Sequence, residues 1–95
     1  MRIKTEDLRR VANVLFDHLE RTGHSEVDVD KDFYWSIPDR QLYSPYEKPT
    51  EFTLGQLSDD HSELEQILSG RREPIAYALV WLAALIRYVG SKTVA

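Results

Sequence analysis

The chain has 95 residues, with 12 Lys and Arg against 16 Asp and Glu for a net charge of −4, and it contains no cysteine. That length makes a single domain, residues 1–95, and the missing cysteine excludes disulfides, thiolate metal sites and a cysteine nucleophile, which fits a cytoplasmic location. The acidic balance argues against nucleic acid, whose phosphates need clustered Lys and Arg, and favours a protein partner with a basic surface.

The first helix is expected to start at Thr5 as N-cap and to end at Gly23. Glu6 and Asp7 suit its positive first turn, and glycine can close the end in the left-handed conformation. Leu8, Val11, Ala12, Leu15 and Leu19 recur at spacings of three and four, which gives one apolar stripe. Glu6–Arg10 and Asp17–Arg21 fall at i,i+4 on the polar side. "MRIKTEDLRR" carries no apolar stretch of the kind a signal peptide needs.

From Glu26 to Ile37 the period becomes two. Val27, Val29, Phe33, Trp35 and Ile37 share the parity expected inside, while Asp28, Asp30, Asp32, Tyr34 and Ser36 share the other. Lys31 interrupts the apolar side, so one bent strand or two short ones are expected, ended by Pro38. Residues 32–52, "DFYWSIPDRQLYSPYEKPTEF", hold six of the ten aromatics and three of the four prolines. A long aromatic and proline-rich loop is therefore expected after the strand, and loops of that length are usually functional or wrapped on the surface. "FTLGQL" reads as a further short strand, with Gly55 marking a bulge or a close approach.

Ser58 or Asp60 is the expected cap of a second helix, with Leu64, Ile67 and Leu68 inward and Gly70 as its stop. Pro74 then suits the first position of a third helix, which runs to about Val89 and ends at Gly90; the tail "SKTVA" is expected to fray. That third helix carries two stripes: Ile75, Leu79, Leu82, Ile86 and Val89 on one face, and Tyr77, Trp81, Ala84 and Tyr88 nearly opposite. A helix apolar on both sides must be covered on both. Either the aromatic loop folds over Tyr77, Trp81 and Tyr88, or a second chain does, so monomer and homodimer both stand. Arg87 interrupts the apolar run and leaves it too short to cross a bilayer. The expected fold is α+β, with three helices around an antiparallel sheet of two or three strands.

Chemical motifs are sparse. Asp28, Asp30, Asp32 and Asp39 fall at positions one, three, five and twelve of a calcium loop, but position six is Phe33 instead of glycine and position twelve is not glutamate. His18, His24 and His61 have no ligand spacing, no serine lies in a nucleophile elbow, and the four glycines are scattered, so no phosphate cradle forms. No metal, cofactor or catalytic residue is assigned, and the chain reads as non-enzymatic.

"YWSIPDRQLYSPYEKPTEFTLGQLSDD" and "AYALVWLAALIRYVG" resemble short stand-alone bacterial proteins of unassigned function, over most of the chain from Val27 onward. That resemblance implies no activity or ligand. In size and charge the chain also resembles immunity proteins that neutralise toxins. The function expected is protein interaction through an acidic and aromatic surface made by Asp28, Asp30, Asp32, Tyr34, Tyr43 and Tyr46. An immunity or accessory protein is its concrete form. The alternative is a small-molecule or catalytic pocket between the aromatic loop and the C-terminal helix, with Tyr77, Trp81 and Tyr88 on its wall or on a dimer face.

Overall fold

The structure, a computed structural model, describes residues 1–93. Its elements in chain order are α1 (Thr5–Arg21), β1 (Phe33–Ser36), α2 (Asp39–Leu42), β2 (Thr53–Gln56), α3 (Leu57–Leu68) and α4 (Ala78–Lys92). Four helices and one two-stranded antiparallel sheet make this an α+β chain. No helix among the described residues is long and apolar enough to cross a membrane.

Two of the three expected glycine stops, Gly23 and Gly70, close their helices in the same way. Gly23 (φ 90°) and Gly70 (φ 78°) adopt the left-handed conformation. The next residue in each case, His24 or Arg71, donates its N–H back to Leu19 or Gln66 at 2.9 Å. This pattern satisfies carbonyls that the helix end leaves without partners. Gly90 does not act as a stop, and α4 continues through it to Lys92. Ser91 and Lys92 of the expected frayed tail thus belong to the helix, and residues 94–95 lie outside the described residues.

α4 starts at Ala78, not Pro74; tight i→i+3 bonds from Ala78, Leu79 and Val80 to Ile75, Ala76 and Tyr77 lead into it. On α1 Glu6 pairs with Arg9 instead of Arg10, which pairs with Asp7, and the expected Asp17–Arg21 pair does not form among the described residues. Thr5 is the first helical residue, and Lys4 holds the cap position without a side-chain bond.

The expected strand from Glu26 is far shorter than its alternation suggested, since only residues 33–36 pair. Register sets Phe33 opposite Gln56, Tyr34 opposite Gly55, Trp35 opposite Leu54 and Ser36 opposite Thr53. The reason lies just upstream, where Asp32 serves the start of α3. The backbone N–H of Leu57 donates to the Asp32 carbonyl (2.7 Å) and that of Ser58 to its carboxylate (2.7 Å). The Gln56 amide and the Ser58 hydroxyl add bonds of 2.7 and 3.0 Å. A carboxylate at a helix N-terminus satisfies orphan N–H groups and complements the dipole. Asp32 therefore caps α3 from 26 residues away in sequence, in place of Ser58 or Asp60.

α3 and α4 pack as a pair, and the sheet lies against the start of α3. Arg72 in their connection pairs with Glu63 of α3 and sits 4.9 Å from the Trp81 ring centroid on α4. Leu57, only 4% exposed, and Asp60 are the buried residues among those described. Leu68, expected inside, is 89% exposed. A folded monomer of 11.1 kDa presents about 5,700 Å² of surface. This chain presents 8299 Å². Its radius of gyration is 15.1 Å, against about 12 Å for a compact chain of this length.

Candidate functional site

The sheet has one anchored face and one open face. On the anchored side, the Tyr34 ring lies directly across Gly55, where no other residue leaves room for it. Its hydroxyl donates to Asp60 of α3 at 2.7 Å. Partial burial, followed by the bond to Asp60, pushes the Tyr34 phenol up to about 12. Gly55 is thus a close-approach glycine, one of the two roles read from the sequence.

The open side is the one expected to be inside. Burial along β1 runs exposed, half-buried, exposed, half-buried, so Phe33 and Trp35 point outward and Tyr34 and Ser36 inward. Trp35 is 72% exposed, and Phe33 and Leu54 beside it are each 63% exposed. Phe52 meets Trp35 edge-on, with ring centroids 6.4 Å apart. These four side chains form an apolar patch held on a short sheet that α3 backs. The sequence marked their parity but not their side. The one available sign was Gly55 opposite Tyr34, which shows where the backbone must admit a ring.

The acidic residues divide. Asp28 is exposed. Asp30 accepts from the Tyr88 hydroxyl and lies 3.1 Å from the Lys92 ammonium, both on α4, while its N–H donates to the Tyr88 oxygen at 3.1 Å. The Tyr88 bond, then the Lys92 bond, holds the Asp30 carboxyl below its ordinary value. The Gln56 amide, then the Ser58 N–H, does the same for Asp32. Asp30 and Asp32 are therefore fastenings between elements rather than members of one solvated strand face.

The aromatic loop does not cover α4. Tyr43 and Tyr46 are 80% and 95% exposed, so they wall off no cavity with Trp81. The loop contains α2 and ties to itself. The Gln41 side-chain carbonyl accepts from the N–H groups of Thr50 and Glu51 at 3.1 Å each, and Arg40 pairs with Glu51. Trp81 and Tyr88 are half-covered from elsewhere: Arg72 lies over Trp81 and Asp30 takes Tyr88, while Tyr77 meets Trp81 edge-on at 5.9 Å and stays 56% exposed. Leu79, Leu82 and Ile86 of the aliphatic stripe are exposed as well.

His61 lies 3.0 Å from Glu65 on the same helix. Among the described residues no three His, Asp or Glu side chains converge as metal ligands would. Two shallow depressions are present, one along α1 at Asp7, Arg10, Val11, Val14 and Leu15, the other at Ser62, Glu65, Gln66 and Arg71. In the second, Ser62 and Glu65 both belong to α3, and no hydrogen bond joins them among the described residues. Compared with protein-family models, curated proteins and solved structures, the chain matches none.

Proposed function

We propose that the chain is a non-enzymatic protein-interaction module whose contact surface is the open face of the sheet. The observation that carries this reading is the patch of Phe33, Trp35, Phe52 and Leu54, apolar, exposed and backed by α3. Contiguous exposed apolar surface of this kind marks interaction sites, and buried aromatic anchors supply most interface energy. Tyr43 and Tyr46, exposed on the following loop, add side chains of the types that anchor interfaces. The net charge of −4, with Asp28 exposed, supports a basic partner. An immunity or accessory protein of a toxin system is the concrete form, supported by small size and acidic charge alone.

The experiment is capture from a host extract on immobilised wild-type chain and on Trp35→Ala, followed by affinity measurement with the recovered protein. Trp35 is already largely exposed, so its loss leaves the fold in place by circular dichroism. An anchor residue is worth about 2 kcal/mol or more, so affinity falls about thirtyfold. Equal affinity of wild type and Trp35→Ala for every recovered protein would refute the sheet-face assignment.

A further inference from the structure

We infer that the chain is one half of a closed homodimer in which α1 of each copy lies on α4 of the other. Three observations meet on this arrangement, and the first two do not involve the sheet face.

The first is that α1 makes no extended contact with any other helix or strand of its own chain. Leu8, Val11 and Leu15 on its apolar stripe are 56–58% exposed. The second is that α4 leaves Leu79, Leu82 and Ile86 uncovered by α3, and these residues are 38–67% exposed. Both stripes follow the same i, i+3, i+7 spacing over a span of about 10 Å. Two such ridges fit into each other's grooves. Charge does not oppose the pairing: α1 carries four carboxylates against Arg9, Arg10 and Arg21, a net −1, whereas α4 carries Arg87 and Lys92, the latter held by Asp30, and no carboxylate.

The third observation is area. The surface beyond that of a compact monomer of this mass is about 2,600 Å². Obligate dimers bury roughly 1,000–2,500 Å² on each partner, so a second copy accounts for most of the excess and leaves room for an open sheet face. A different protein would have to bring two complementary surfaces, one for each stripe. A second copy brings both, because a twofold axis repeats the α1–α4 contact and closes the assembly. Residues 22–29 connect α1 to the Asp30 fastening on α4, and eight residues reach as far as about 26 Å, enough to place α1 on a neighbour.

The test is sedimentation equilibrium on the full chain at micromolar concentration. A mass twice 11.1 kDa is expected, and a Leu82→Asp or Leu15→Asp substitution should raise the dissociation constant about thirtyfold or more. Because such variants can lose their fold, crosslinking gives a second readout. The chain has no cysteine, so Leu15→Cys chains mixed with Leu82→Cys chains should oxidise to a covalent heterodimer. The double variant should give covalent dimers also, not an internally linked monomer. A monomer at every concentration, an internal crosslink, or a dimer that yields no Leu15–Leu82 crosslink would each overturn the arrangement. Trp35→Ala should leave the mass unchanged, which separates this result from the fate of the sheet-face reading.

Discussion

At the scale of single residues, the pairing of Tyr34 with Gly55 decides which way the sheet faces. A Cβ at position 55 would fall inside the Tyr34 ring. Gly55→Ala should therefore cost about 1–3 kcal/mol, the usual cost of overpacking, in a urea melt. The same contact has a titration signature. A phenol raised to about 12 stays protonated in the folded chain while the unfolded chain ionises near 10. Tyr34 thus contributes stability that is complete below pH 10 and lost as pH rises toward 12. One of the five tyrosines should titrate late in a phenolate absorbance titration, and Tyr34→Phe should remove that late step. Asp30 and Asp32 act with the opposite sign. Their folded values lie below the ordinary 3.8, so their contribution is present above that pH and disappears as acid protonates the folded form. Asp32→Asn should flatten the acid limb of the stability curve. The sequence alone gave the three aspartates one role, because alternation is local while the partners of Asp30 and Asp32 lie 58 and 26 residues away.

Among the elements, those with local signals were legible and those with distant partners were not. α1 declared itself through its stripe and its closing glycine, and α3 through Gly70. β1 was overextended, since alternating Val and Asp imitates a ladder that the fastening of Asp30 and Asp32 prevents. α2 has only the weak local signal of Pro38 followed by Asp39, a pair that fits the end of a strand as well as the start of a helix. On α4 both stripes were visible, but nothing local says which one α3 will cover. The half-burial of Trp81, Leu85 and Tyr88 against the exposure of Leu79 answers that question. Trp81→Ala should accordingly cost about 3 kcal/mol by denaturant melt, near the low end for large aromatics. Tyr43→Ala and Tyr46→Ala should each stay within about 0.5 kcal/mol, as exposed positions do. A loss at Tyr46 comparable to that at Trp81 would restore the loop to the core.

For the molecule as a whole, composition was sufficient for an α+β chain and silent on where its apolar surface goes. Hydrophobic residues make up 42% of the sequence, yet among the described residues Leu57 is the one apolar side chain that is buried. The chain therefore hides about half of its unfolded surface, where a self-sufficient domain of this size hides about 60–65%. Stripes on α1 and α4 and the open sheet face account for the difference.

The interaction role is tested most directly by Trp35 fluorescence. A Trp81→Phe background leaves Trp35 as the single indole, and that ring is largely exposed in the isolated chain. In the purified protein its emission should be that of a solvated indole and should be quenched readily by acrylamide. Addition of the captured partner should shift the emission to the blue and protect it from the quencher, in proportion to the fraction bound. Saturating binding that leaves both emission and quenching unchanged would contradict the account.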